Sequence, residues 1–94
     1  MDILKFSLVR RVIPPKRAHS LDAGIDFYVP SEYQITKVSP GNGIKIPSGI
    51  KVNISPGYAL IAFNKSGICT RLGLLAGACV VDSGYQGEIH IHLI

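Results

Sequence analysis

Six carboxylates in this chain are candidates for acid–base or metal chemistry: Asp2, Asp22, Asp26, Glu32, Asp82 and Glu88. Asp82 stands out because it closes the apolar run Ala78-Cys79-Val80-Val81 and precedes Ser83-Gly84. An acid at the end of a buried strand, facing a cleft, is partly desolvated and suited to accept a proton. The same residues also suit a turn in which the Asp side chain bonds the backbone of Ser83 and Gly84. Local sequence leaves both readings open. Asp26 lies in Ala23-Gly24-Ile25-Asp26-Phe27, an acid inside an apolar stretch after a glycine. It reads either as a site acid or as an edge-strand acid facing solvent, whereas Asp22 reads as a turn residue.

A second chemical feature is Asn64-Lys65-Ser66-Gly67, a polar break after an apolar run. Backbone N–H groups and a hydroxyl beside a cation can cradle phosphate. The G-x-x-x-x-G-K spacing of a nucleotide-binding P-loop is absent. His90 and His92 are two apart on a predicted strand and share a face. They have no third metal ligand at a matching spacing, so a hydrogen-bonded or interface pair is the simpler reading; His19 reads as a loop residue. Cys69 and Cys79 lack the paired spacing of a zinc site or a disulfide framework and read as buried free thiols. No Ser/His/Asp or Cys/His arrangement stands out in the spacing.

The elements that must position these groups are short strands. Ten Gly and six Pro divide the chain, and β-branched and aromatic runs lie between them. The predicted strands are Ile3–Val9, Ile25–Val29, Ile50–Ile54, Tyr58–Phe63, Ala78–Val81 and Glu88–Ile94. Ile50, Val52 and Ile54 alternate with Lys51 and Asn53, the period of a half-buried strand. The single helical candidate is about a turn around Ser66–Arg71. Strands at this spacing predict one all-β domain over residues 1–94, a sandwich or barrel. The last strand stops on the apolar Ile94 with no polar tail, which reads as a domain truncated at its C-terminus.

Composition narrows the function classes. The chain is 47% hydrophobic and 17% charged, with a mean hydropathy of +0.30. So apolar a small chain is expected to bury surface against partners. The net charge of +4 attracts anions, but the aromatics and dense basic runs of a dedicated nucleic-acid binder are missing. No stretch approaches the roughly 20 apolar residues of a membrane span, and the N-terminus lacks a signal-peptide core. The expected location is cytoplasmic.

The order of the motifs is more specific than any one of them. The chain carries Ala18-His19-Ser20-Leu21-Asp22-Ala23-Gly24-Ile25-Asp26-Phe27, then Ile46-Pro47-Ser48-Gly49-Ile50 and Lys65-Ser66-Gly67. It ends the series with Ala76-Gly77-Ala78-Cys79-Val80-Val81-Asp82-Ser83-Gly84-Tyr85-Gln86-Gly87. This series resembles the first three motifs of the dUTPase family, in order and over nearly the whole chain. The resemblance implies a jelly-roll or β-clip barrel, assembled as a homotrimer with active sites between subunits. It also implies hydrolysis of dUTP to dUMP and pyrophosphate, keeping uracil out of DNA, with Mg²⁺ held mainly by the substrate phosphates and not by a dedicated protein site.

By the same resemblance, Asp82 is the catalytic carboxylate that orients and deprotonates the water attacking the α-phosphorus, and Asp26 is the first-motif acid supporting the site. Lys65, Ser66 and Gly67 bind the phosphates. Backbone groups of Ala78, Cys79, Val80 and Val81, with the returning strand near His90, pair with the uracil edge and leave no room for a 5-methyl group. Tyr85 packs on the deoxyribose and excludes a 2′-hydroxyl; a polar edge left unpaired by the wrong base supplies selectivity. Three positions depart from the family's pattern: Cys79 stands in place of Gly, Gly84 in place of a second acid, and Lys65 in place of Arg. The family's fourth and fifth motifs are expected beyond Ile94. The alternatives are a related domain that binds nucleotide or a protein partner without turnover, a dCTP deaminase of the same fold, and a basic nucleic-acid-binding barrel. Asp82-x-x-Tyr85 fits a dUTPase better than a deaminase.

Overall fold

The computed structural model describes residues 3–34, 37–77 and 80–94. In chain order its elements are β1 (Leu4–Leu8), β2 (Ile44–Pro47), β3 (Ile50–Ile54), β4 (Ala59–Ile61), α1 (Ser66–Leu72), β5 (Val80–Asp82) and β6 (His90–Leu93). The strands form three antiparallel pairs among the described residues: β1 with β3, β2 with β6 and β4 with β5. The architecture is the expected all-β one.

Alternation sets the first pair. Leu4, Phe6 and Leu8 stand opposite Ile54, Val52 and Ile50, while Lys5 and Ser7 face Asn53 and Lys51. One face of the ribbon is therefore apolar and the other polar. Ile54, Val81 and Ile89 form the buried cluster, with Leu4, Phe27, Val52, Leu60 and Ile91 packed against it. Ile50 is also buried. Each fully buried Ile or Val contributes about 1.5–3 kcal/mol, so a core of this size is modest. Much apolar surface stays outside it: Leu21 is 97% exposed and Phe63 82%.

The short turn between β2 and β3 depends on Gly49, which has φ +75. A Cβ there would lie 2.8 Å from Val12 Cγ1, so both backbone conformation and space call for glycine. The chain just before β6 docks on this turn through Ser48 N–H to Ile89 O at 2.9 Å and Ile89 N–H to Ile50 O at 2.9 Å. Gly73, with φ 66, ends α1 and returns its N–H to Cys69 O.

Several expectations are corrected. Ile25–Val29 is not a strand: Asp26 makes a single bridge, to Lys16. The segment alongside contains Pro14 and Pro15, which have no N–H for a ladder. Ser31 N–H bonds Arg11 O at 3.0 Å, so the two segments still run antiparallel without forming a sheet. β2 was absent from the sequence prediction, being only four residues long and ending on Pro47. The last apolar run is not buried throughout, since Val81 is buried and Val80 exposed. Cys69 is a half-buried free thiol; Ala78 and Cys79 lie outside the described residues. Among the described residues, no helix is long and apolar enough to cross a membrane.

Candidate active site

Two groups of motif residues emerge, each positioned by different elements. The first joins the loop around residue 26 to the start of α1. Asp26 is held by reciprocal backbone bonds with Lys16, at 2.8 and 3.2 Å. Its Oδ2 accepts from Lys65 Nζ at 3.0 Å. Lys65 occupies the N-cap position of α1 in an extended conformation, which turns its side chain out of the helix. Asn64 anchors this corner, its Oδ1 accepting the Ala76 N–H at 2.7 Å. Within α1, Arg71 Nε donates to Gly67 O at 3.3 Å, bringing a second cation beside Lys65-Ser66-Gly67. Sequence reasoning passed over Arg71, although the four-residue spacing from Gly67 was a usable signal.

The second group is the β5–β6 connection, an open hairpin whose arms pair with β4 and β2 and not with each other. Asp82 ends β5 opposite Ala59 and is exposed in the single chain, unlike the partly desolvated acid of one of the two local readings. The reason is local: only Val81 of β5 turns into the core, so its neighbours on either side turn out. Tyr85 N–H closes the turn on Asp82 O at 3.1 Å. The Tyr85 hydroxyl donates to Glu88 O at 2.9 Å. Gly87 lies against that ring, and a Cβ there would be 2.7 Å from the Tyr85 hydroxyl oxygen. Gly84 has open space where a Cβ would stand and no positive φ. The chain does not need glycine at position 84.

Glu88 ties this hairpin to the rest of the fold. Arg10 donates Nε to Oε2 at 2.7 Å and Nη2 to Oε1 at 3.0 Å, and Gly49 N–H adds a bond to Oε2 at 2.8 Å. The Arg10 fork holds the Glu88 carboxyl below the usual carboxylate range; burial opposes this and the Gly49 N–H assists it. Glu88 in turn pushes Arg10 up. His90 Nδ1 lies 3.1 Å from Glu88 O, so His90 belongs to this network. His92 instead stands between two glycines: Cβ atoms at Gly43 and Gly77 would lie 2.5 and 3.1 Å from its ring nitrogens. The two histidines therefore have different surroundings. Sequence reasoning treated Glu88 only as one carboxylate among six, because its partner Arg10 is 78 residues away.

The two groups lie at opposite ends of the β4–β5 strand pair. Asp82 is opposite Ala59, whereas Asn64, next to Lys65, bonds Ala76. An extended run of the intervening length spans about 16 Å. One chain therefore brings Asp26 together with Lys65, and Asp82 together with Tyr85, in separate places. Val80 and Val81 pair with Ile61 and Leu60. β5 has a strand on one edge only among the described residues, so alternate N–H and C=O groups point away from β4.

No group of three His, Cys, Asp or Glu able to hold a metal is present among the described residues. Asp26 offers one partly exposed carboxylate beside a cation. That carboxylate already accepts from Lys65 Nζ, and a neighbouring ammonium repels a divalent cation, so a Mg²⁺ at this corner would be held mainly by substrate phosphates.

A family model described as dUTPase matches residues 10–94. A deoxyuridine 5′-triphosphate nucleotidohydrolase of Mycolicibacterium vanbaalenii is 39% identical over 82 residues, covering 85% of this chain and 51% of that protein. The enzyme of the same name from Mycobacterium tuberculosis is 34% identical over 82 residues, with the same shares covered. The chain thus spans about half the length of the curated relatives it matches. Among solved structures, a mutant dUTPase from phage phi11 of S. aureus superposes with a TM-score of 0.84 at 25% identity, covering 98% of this chain and 59% of that one. That structure is described as showing the coordination of a structural Mg(II) ion. A dUTPase of Staphylococcus bacteriophage 80alpha gives a TM-score of 0.85 at 23% identity, covering 99% and 59%.

Proposed function

This chain belongs to the dUTPase family, and from that membership we propose that it serves the hydrolysis of dUTP to dUMP and pyrophosphate. The observation that carries the reading is the division of the motif residues into two groups at opposite ends of the β4–β5 strand pair. One group carries Asp26 and Lys65 beside Ser66 and Gly67, the other Asp82 and Tyr85. A homotrimer with sites between subunits would bring the Asp82–Tyr85 hairpin of one copy to the Asp26–Lys65 corner of the next. The large apolar surface outside the core, with Phe63 and Val80 among it, favours such an assembly.

In the assembled site Asp82 would accept the proton of the attacking water; a solvent-facing carboxylate at the end of a strand can reach water directly. Asp26 would steady the phosphate side through Lys65. Lys65, Ser66 and Gly67 would bind the phosphate chain, with Arg71 close behind. Mg²⁺ would screen the charge of the triphosphate. The outward backbone groups of β5 would meet the uracil edge, with Ala78, Cys79, Val80 and Val81 on one side and the strand near His90 on the other. Tyr85, its hydroxyl fixed on Glu88 O, would pack on the deoxyribose.

Pyrophosphate release from dUTP with Mg²⁺ tests this reading. A general base contributes about 10²–10⁴-fold, so Asp82→Asn is expected to lower turnover by that factor. Equal turnover by Asp82→Asn and the unsubstituted chain would overturn the assignment of Asp82. Calorimetry with dUMP and dTMP tests the base pocket: dUMP should bind more tightly, and equal affinity removes the uracil assignment. A chain that prefers dUMP yet never releases pyrophosphate would instead be a nucleotide-binding relative without turnover.

A further inference from the structure

We propose that Arg10 and Glu88 form a positioning clamp for Tyr85, setting the discrimination between deoxyribose and ribose nucleotides; this rests on the reading of Tyr85 given above. The Glu88 side chain receives both arms of the Arg10 guanidinium and the Gly49 N–H. It thereby joins the segment after β1 and the turn between β2 and β3 to the returning arm of the hairpin. The Glu88 backbone carbonyl receives the Tyr85 hydroxyl. One residue thus grips the body of the fold with its side chain and the tyrosine with its main chain.

An exposed ion pair between flexible side chains is worth little. This one differs in geometry. The contact is a two-armed fork, and the Glu88 side chain is only 14% exposed. Toward the tip, by contrast, the hairpin has little to hold it. Among the described residues, the Tyr85–Glu88 contact is the one side-chain hydrogen bond made by residues 83–87. Gly84 and Gly87 add backbone freedom, and Gly84 has no neighbour within contact distance of a Cβ. The orientation of the Tyr85 ring therefore depends on where Glu88 O lies. That in turn is set by the Arg10 fork on one side and by Ile89, buried and bonded to Ser48 and Ile50, on the other. Loss of the fork frees the residue between Ile89 and the tip without removing the core anchor.

Arg10→Met and Arg10→Lys separate this role from mere stabilisation. Lys keeps the charge but not the two-armed geometry, so it should fall between the unsubstituted chain and Met. Two measurements are made on each folded protein: amide hydrogen exchange at Tyr85, Gly87 and Glu88, and the ratio of dUMP to UMP affinity. The expected result is faster exchange at those amides with Arg10→Met, while Ile50 and Ile54 stay protected. The dUMP preference should fall on the order of tenfold, with partial recovery in Arg10→Lys. Unchanged hairpin exchange and an unchanged affinity ratio in Arg10→Met would overturn the clamp. Should Arg10→Met not fold, Arg10→Lys decides: hairpin exchange equal to that of the unsubstituted chain overturns the proposal, and faster exchange confined to the hairpin supports it. If the unsubstituted chain itself does not prefer dUMP, the nucleotide reading fails. The exchange data alone then decide whether Arg10 orders the hairpin.

Discussion

Lys65 Nζ lies 3.0 Å from Asp26 Oδ2, so the cation of the second motif meets the acid of the first motif across 39 residues of chain. The contact is partly exposed on both sides, and pairs of this kind contribute about 0.2–1 kcal/mol to stability. Its weight lies in placement. An ammonium on a four-carbon stem has no planar fork to orient it, and Asp26 supplies that restraint. Asp26→Asn is expected to lower the melting temperature by only a few degrees while weakening Mg²⁺-dependent binding of dUTP. Thermal melting and calorimetry at several Mg²⁺ concentrations separate the two effects. A loss of binding no larger than the loss of stability would count against a role in the site.

Glu88 predicts a pH dependence. Its carboxyl lies below the ordinary value of 4.5 in the folded chain, chiefly through the Arg10 fork. The folded state therefore binds a proton less readily than the unfolded one, and the pair stabilises fully only above the unfolded carboxylate pKa. That contribution is lost as pH falls through the lowered folded value. The melting temperature of the unsubstituted chain should exceed that of Glu88→Gln at pH 7, and the gap should close at acidic pH. A gap independent of pH would exclude ionisation of Glu88 as its source.

Gly49 and Gly84 predict opposite signs for the same substitution. At Gly49, alanine meets both a positive φ and a 2.8 Å approach to Val12, with an expected cost of about 1–3 kcal/mol. At Gly84 nothing crowds a Cβ, and restricting the unfolded chain should stabilise by about 0.4–1 kcal/mol. For a domain of this size, each kcal/mol moves the melting temperature by roughly 4–8 °C. Scanning calorimetry of Gly49→Ala and Gly84→Ala reads both.

Gly87 is the specific point where backbone meets the Tyr85 ring. A methyl group there would stand 2.7 Å from the hydroxyl oxygen and 2.9 Å from Cζ, closer than real contacts allow, so the ring must move off Glu88 O. Gly87→Ala is expected to keep the fold, since position 87 has no positive φ, while reducing dUMP preference over UMP. An affinity ratio unchanged by Gly87→Ala would show that the ring position seen here does not govern sugar recognition.

Local pattern was enough for some of this architecture. The alternation in Ile50–Ile54 foretold a half-buried strand, and both Ile50 and Ile54 are buried. The polar break at Asn64–Gly67 foretold the start of α1. Where the partner strand mattered, local pattern failed. Ile25–Val29 has strand-forming residues, but a ladder needs donors from the neighbouring segment, and Pro14 and Pro15 have none. β2 pairs with β6 across 43 or more positions, a relationship that four residues ending in proline do not announce.

The amino-acid order alone identifies the family, through Ala23-Gly24-Ile25-Asp26, Lys65-Ser66-Gly67 and Asp82-x-x-Tyr85 in series. It also determined the all-β class, because turn residues and β-branched runs act over a few positions. Folding is what makes Lys65 meet Asp26, leaves Asp82 exposed at the far end of the β4–β5 strand pair, and lets Arg10 grip Glu88. These facts depend on pairings between distant segments. Ion pairs and strand registers form only after the core brings those segments within a few ångströms of each other, and no local spacing encodes that approach.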